Sequence, residues 1–348
     1  MASMEQELTI VNPLSYPGWD DMLASHPAHS FFHTSMWART LCETYKFNPL
    51  YFADIRDGRL AAMVPVMEIK TPLMPKKGVS LPFTDASDPI VDEDASRQKL
   101  YDHLIAYGRQ AGWKYLEIRG GDLGAEIVPS ATYYCHTLKL DNDEERLLST
   151  FSNGTKGNIK KAVKEGVEVT VSQTGESLDL FFKLHSLTRK RHGVPPQPFA
   201  FFITVLRHVL SANNGIIVLA TLKGRPIAGA MFFHFGTQAV YKYAASDFEF
   251  QNVRANNLVM WEAVKWYCRN RYTRMNLGRT EPDNDGLRHF KSGWGTCEKI
   301  LKYYKYDFTK NAYVKDNPRS QEIFTAIFRS MPLPVLNAVG SFLYKYVA

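Results

Sequence analysis

Residues 286–295 read GLRHFKSGWG, with Lys291 between Phe290 and a flexible Ser-Gly-Trp-Gly run. An ammonium so placed can hold a carboxylate or phosphate, or steady the oxyanion of an acyl-transfer intermediate. The plain alternative is a solvated loop lysine. Upstream, QAVYKYAASD (238–247) alternates as a strand does, which puts Tyr241 and Tyr243 on one face and Lys242 and Ala244 on the other. A phenol beside a strand crevice can protonate a leaving group or orient a nucleophile; packing is the competing use. Lys156, Lys160 and Lys164 recur every four residues on one helix face and, with Lys161, form a cationic patch. Such a patch binds anions or is merely solvated.

Other chemistries find little support. The chain has no Gly-x-Ser-x-Gly elbow, no phosphate-binding loop ending in Gly-Lys-Ser/Thr and no His-Glu-x-x-His. His185 and His192 can share a helix face but bring no acidic or cysteine partner, so no metal is expected. Cys42, Cys135, Cys268 and Cys297 are widely spaced, which fits a reducing cytoplasm better than a disulfide framework. The 348 residues, 45% apolar and 22% charged with a net charge of +7, describe a globular protein of about two domains with a mild preference for anionic partners. MASMEQELTI lacks the pattern of a leader peptide, and no run is long enough to span a bilayer. The uncharged stretch 330–344, broken by Pro332 and Pro334, either packs on the body or docks on a membrane surface.

The elements that must position these residues come in a repeated order. Residues 51–69 form two apolar runs around Gly58, and 216–235 repeat the plan around Gly224. Residues 101–118 and 258–277 then both read as amphipathic helix, turn and buried strand. In the first half a helix over 34–47 buries Met36, Leu41 and Tyr45 with Trp37 turned away, and the proline-rich 71–92 is expected to be a loop. In the second, 150–169 reads as a polar helix, followed by helices at 177–191 and 199–212, strands near 216–221, 227–235 and 238–245, helix 255–270 and strand 272–277. The fold expected is mixed α/β, two tandem N-acetyltransferase-like (GNAT) domains. The boundaries are 1–145, 146–312 carrying the donor cleft, and a C-terminal helical tail at 313–348. Ligands of such a fold settle where strands 238–245 and 272–277 part. An acyl-coenzyme A enzyme has a glycine-rich turn after the first of these. Here Gln251, Arg254, Asn256 and Asn257 stand there instead; Asn256 can cap the helix, while the bulk of Arg254 and Asn256 opposes a close diphosphate.

The chain resembles the Fem family of aminoacyl- and acyltransferases. The resemblance covers roughly residues 30–308 and rests on SFFHTSMW (30–37), SLPFTD (80–85), YLEIR (115–119), GNIKKAVKEGVEV (157–169), HGVPPQPFAFF (192–202), NNLVMWEAV (256–264), NLG (276–278) and GLRHFKSGWG. It implies Lys291 and Tyr243 as catalytic residues. It also implies Arg39, Phe83, Asp85 and Arg119 as substrate-binding residues; with Lys160, His192 and Arg279 these form the expected substrate-binding set, and Gln251, Asn256 and Asn257 are the expected donor contacts. The long coiled-coil arm of some members has no counterpart here.

The expected activity is cytoplasmic transfer of an activated acyl or aminoacyl group onto an amine of a cell-envelope precursor. The donor would be aminoacyl-tRNA or acyl-coenzyme A, with no tightly bound cofactor, and the acceptor an anionic peptidoglycan or polysaccharide precursor. DNA is not an expected partner. One alternative is an acetyl-coenzyme A-dependent N-acetyltransferase of a small amine or amino sugar. Another is a non-catalytic module binding anionic glycan or RNA through the 156–164 patch.

Overall fold

A strand from near the end of the chain closes the first half of the fold. The computed structural model describes residues 8–92, 94–315 and 322–346. By its contacts the chain forms one unit from 1–133, 301–316 and 345–348, and a second from 134–300 and 317–344. The opening MASMEQE and part of the expected tail, 316–321 and 347–348, lie outside the described residues.

The elements run in chain order β1 Leu8–Val11, α1 Trp19–Ala24, α2 Ser35–Tyr45, β2 Asn48–Arg56, β3 Arg59–Thr71, β4 Met74–Val79, β5 Ile90–Val91, α3 Asp94–Gln110 and β6 Tyr115–Arg119. Next come β7 Ala131–Lys139, α4 Glu144–Ser149, α5 Asn153–Lys164, β8 Glu168–Ser172, α6 Gly175–Arg191, α7 Phe199–Val205, β9 Gly215–Leu222, β10 Arg225–Phe235 and β11 Gln238–Ser246. The chain finishes with α8 Ala255–Arg269, β12 Arg274–Thr280, α9 Asp285–Ser292, β13 Cys297–Asp307, β14 Ala312–Tyr313, α10 Glu322–Ser330 and α11 Leu333–Leu343.

The repeat read in the sequence is a repeat of backbone. Asp57 and Gly58 have φ of 49° and 73°, and Lys223 and Gly224 have 51° and 77°. Two successive left-handed residues make the turn whose twist suits antiparallel strands, so β2–β3 and β9–β10 are equivalent hairpins. Each hairpin gains a further antiparallel strand, β4 or β11, which then pairs in parallel with β6 or β12. The last strand is antiparallel in both cases: β13 on β6 through Tyr303–Asp307, and β7 on β12 through Tyr134–Lys139. The closing strands are therefore exchanged in sequence. Residues 301–307, which the sequence groups with 146–312, complete the first unit instead.

Each unit has its own core. Phe52, Val64, Leu104, Trp113, Leu116 and Tyr304 anchor the first, and Phe151, Val218, Phe232, Val264, Tyr267 and Trp294 the second. In α2 the buried stripe is Trp37, Leu41 and Tyr45, so Trp37 faces inward and Met36 only partly so. That helix starts because Thr34 accepts a hydrogen bond from the amide of Trp37.

Two local expectations fail for identifiable reasons. The proline-rich 71–92 holds β4, whose Lys77–Val79 pair on both sides. Its Pro75 sits at the register shift between Ile69 and Thr71, where no ladder donor is needed. The polar helix over 150–169 stops at Lys164 because Gly166 takes φ 79°, and Glu168–Ser172 becomes a strand on β9.

Candidate functional site

β11 and β12 run in parallel only where Gln238–Val240 meet Arg274–Asn276, and beyond that point they part. A cleft of about 610 Å³ lies within the second unit, lined by residues of α5, α6, β11, α8 and α9. Its most distinctive property is electrostatic. The amino ends of three helices line it: Ser152, Gly154 and Thr155 of α5, Arg254–Asn257 of α8, and Asn284, Gly286 and Leu287 of α9. Helix amino ends carry partial positive charge and spare N–H donors, so three together favour an anion. Arg191 and Arg254 add cations, His192 and His289 add imidazoles, and Asn158, Gln251, Asn256, Asn257 and Asn284 add neutral amides.

The sequence builds these ends locally. Ser152 caps α5 by accepting from the Thr155 amide, and Asn284 caps α9 by accepting from the Leu287 amide. At α8 no side chain caps the start. Asn256 is inside the helix, not at its cap, and the preceding Arg254 takes φ 62°. The turn thus keeps the left-handed backbone that glycine favours while carrying an arginine.

A bulge decides which tyrosine reaches the cleft. The register of β10 against β11 shifts at Met231/Phe232, so that Phe232 pairs with Tyr241 and Met231 with Tyr243, leaving Lys242 as the extra residue. Strict alternation, which put both tyrosines on one face, is broken there. Tyr241 lines the cleft with its ring 5.1 Å from Phe232, and burial pushes its phenol well above the ordinary value. Tyr243 is absent from the cleft lining and packs against Phe202 at 5.6 Å and His185 at 5.7 Å.

Lys291 is not a solvated loop residue. It sits in the last turn of α9, 3% exposed, and its Nζ donates 2.8 Å hydrogen bonds to the carbonyl oxygens of Gly278 and Arg279. Those carbonyls belong to a bulge in β12, where Gly278 has φ 72° and its amide donates to Asn276 Oδ1 at 2.7 Å. Asn-Leu-Gly and the Phe-Lys pair thus form one unit of structure. The Ser-Gly-Trp-Gly run that follows is packed, not flexible. Ser152 N donates to Gly293 O at 2.9 Å, and a Cβ on Gly293 would come within 2.5 Å of Thr155 Oγ1. Trp294 is buried against Phe151 at 5.0 Å. Behind Lys291, the buried His136 has Nε2 3.0 Å from Glu298, which Arg288 holds with two further hydrogen bonds.

Among the other expected residues, His192, Gln251, Asn256 and Asn257 all line the cleft. His192 is held below its ordinary value by burial and then by the charges of Arg191, Arg189 and Arg329, so its imidazole is neutral at pH 7. Lys160 is exposed on α5, and Arg279 lies 3.2 Å from Glu281; neither lines the cleft. In the first unit Tyr303 gathers two of the four expected residues. Its hydroxyl donates to the Asp85 carbonyl, and Arg119, bound to Glu117 at 2.6 Å, lies 5.8 Å over its ring. Phe83, at φ 62°, stacks near Tyr45 and Phe47. Arg39 stands exposed on α2.

Sequence reasoning passed over Arg191, Asn158, Asp247, Phe250, Asn284 and His289, all of which line the cleft. Asp247 is held by Arg225 at 2.7 Å and caps the turn at Phe248 through the Glu249 amide. The capping residues Ser152 and Asn284, each just ahead of an amphipathic helix, were a readable signal. Among the described residues no group of histidine, cysteine and carboxylate side chains is placed to hold a metal.

A profile described as an acetyltransferase (GNAT) domain matches residues 149–292. The UDP-N-acetylmuramoylpentapeptide-lysine N(6)-alanyltransferase of Weissella viridescens is 26% identical over 151 residues, which span 43% of this chain and 44% of that protein. The chain thus spans less than half of that relative. The lipid II:glycine glycyltransferase of Staphylococcus aureus is 22% identical over 82% of this chain and 90% of its own length. Among solved structures, FemX aligns with a TM-score of 0.65 at 16% identity, over 87% of this chain and 98% of that one. A tandem GNAT protein from the clavulanic acid biosynthesis pathway aligns at 0.54 and 9% identity, over 86% and 98%. The duplicated sheet plan, the parting strands of the second unit and these likenesses agree on a duplicated GNAT fold, similar to that of FemX.

Proposed function

We propose that the second unit's cleft transfers an aminoacyl group from charged tRNA to an amine of a peptidoglycan precursor. The observation that carries this reading is the convergence of three helix amino ends and the Arg191 and Arg254 cations on one cleft at the parting of β11 and β12. A polyanionic donor bound through its terminal phosphates suits that field. The named activities of the Weissella and Staphylococcus relatives, alanyl and glycyl transfer to muramyl-peptide precursors, support the reaction class. A basic side chain replaces the glycine at the start of α8, which favours a tRNA end over the diphosphate of coenzyme A.

In this reading the acceptor amine attacks the ester carbonyl of the donor directly. A C–N bond forms and the ester C–O bond breaks, while the amine's proton passes to the Tyr241 hydroxyl oxygen as Tyr241's own proton goes to the departing ribose oxygen. Tyr241 holds its proton and is the group able to give it to that oxygen. Lys291, tied to Gly278 and Arg279, fixes the β12 bulge to the end of α9, whose residues Gly286, Leu287, His289 and Phe290 line the cleft. No covalent intermediate on the enzyme is required. The reaction so read takes place in the cytoplasm, at the inner face of the membrane where precursors are assembled.

The test is to incubate the purified protein with alanyl- or glycyl-tRNA and either UDP-linked or lipid-linked muramyl pentapeptide, and weigh the acceptor. A mass gain of one aminoacyl residue supports the reading. No gain with any charged tRNA, together with saturable heat on titration with acetyl-coenzyme A, overturns it.

A further inference from the structure

We propose that α10 and α11 form a docking surface for an anionic lipid bilayer, and that this surface holds the wall of the cleft at the headgroup layer. α11 is anchored to the second unit from one side only. Leu336, Gly340 and Tyr344 are buried, Gly340 abuts the carbonyl of Pro196, and Tyr344 Oη accepts from Arg189 at 2.9 Å while donating to Pro195 O at 3.2 Å. Phe324, Ile327, Val335 and Phe342 are 57%, 50%, 49% and 54% exposed. Scattered surface apolar residues need no explanation, but four large ones fall on two consecutive short helices that both pack on the second unit.

Charge selects the occupant. From Phe324 to Tyr346 the sequence has no acidic residue, and Arg329 stands exposed among these side chains. Lys190 and Arg191 close the neighbouring end of α6. Gly193, two residues beyond Arg191, packs on Thr325 of α10, the helix that carries Arg329, which brings the end of α6 against α10. A second copy seated on the same face would bring each cation set against its own duplicate, which is repulsive. An anionic headgroup layer accepts both the cations and the apolar side chains, as interfacial helices do.

The surface is coupled to the cleft. The loop that follows α6 begins with the cleft residue His192, and Gly193 packs so closely on α10 that a Cβ there would lie 2.5 Å from the Thr325 carbonyl oxygen. Pro195 and Pro196 of the same loop carry α11. Resting on the function proposed above, this geometry makes a lipid-anchored precursor, in preference to a nucleotide-linked one, the acceptor that reaches the cleft.

The test is co-sedimentation of the full chain with phosphatidylcholine vesicles, with and without phosphatidylglycerol, at low and high salt; it needs no catalytic turnover. Binding to anionic vesicles only, weakened about fivefold by Arg329→Ser and at least about tenfold by Phe324→Ser/Phe342→Ser, is expected. The double variant should keep wild-type near-ultraviolet circular dichroism and wild-type turnover with a nucleotide-linked acceptor, while losing turnover with a vesicle-borne one. No binding to anionic vesicles, or equal binding by the variants, overturns the proposal. So does a shift from dimer to monomer in the double variant with no change in vesicle binding. Vesicle binding without aminoacyl transfer to any acceptor would leave the docking surface standing and refute only the proposed reaction.

Discussion

The ammonium of Lys291 donates to the carbonyl oxygen of Gly278 at 2.8 Å, joining the end of α9 to the bulge of β12. A lysine that the sequence offers as a free cation is committed to backbone, and this changes what its removal should do.

Lys291→Met keeps the stem and removes the donor, leaving two carbonyls short of a partner. A stability loss of about 2–3 kcal/mol is expected, with turnover falling by more than about tenfold because the bulge is released. Urea unfolding beside a transfer assay checks both. A variant as stable as the parent but inactive would assign Lys291 to the reacting atoms instead.

The two tyrosines of β11 give a paired prediction. Tyr241→Phe should lower single-turnover transfer by about a hundredfold without changing the unfolding midpoint. Tyr243→Phe should leave transfer within about threefold, since its ring packs on Phe202 and His185 away from the cleft lining. The reverse pattern would mean that the bulge at Lys242 has been misassigned as the device that sorts them.

Arg254 separates backbone from charge. At φ 62°, Arg254→Gly relieves the turn and should raise stability by about 1 kcal/mol, whereas Arg254→Ala keeps a Cβ in the left-handed region and should leave stability nearly unchanged. Both remove the cation, so both should raise the KM for charged tRNA several-fold with little change in kcat. Identical stability of the two would count against a strained turn at this position.

Acid should unfold the protein through its buried histidines. Burial first, then neighbouring charge, pushes His33 and His185 from 6.5 down to about 3. The unfolded chain therefore takes up these protons before the folded one does. Stability is complete above pH 6.5 and declines from there towards pH 3, by about 1.4 kcal/mol per pH unit for each histidine. His185→Phe, a ring among Phe181, Phe202 and Tyr243, should flatten the slope of stability against pH between 6.5 and 4 by that amount. An unchanged slope would show that His185 does not contribute.

Much of the fold was legible because it rests on local chemistry. Asp57-Gly58 and Lys223-Gly224 announce two equivalent hairpins, and the helix–strand pairs after them carry their own periodicity. The cleft region was legible in outline too, since Gln251, Asn256, Asn257 and His192 all reach it. What stayed hidden depends on partners distant in sequence. β4 exists because β3 and β6 flank it, against the testimony of its prolines. Tyr241 is sorted from Tyr243 by a register shift in β10, and Lys291 is buried by carbonyls of β12. The capping roles of Ser152 and Asn284 were the readable clue left unused.

The exchange of closing strands has a consequence for how the protein is made. The first unit cannot finish its sheet until Tyr303–Asp307 leave the ribosome, after β7 to β12 of the second unit. Its edge at β6 must stay unpaired while the second unit assembles around β7. The sheet of the first unit is thus closed later in synthesis than the sheet of the second. A gene cut at residue 145 would yield two fragments, each missing part of what closes it and each carrying strand that belongs to the other.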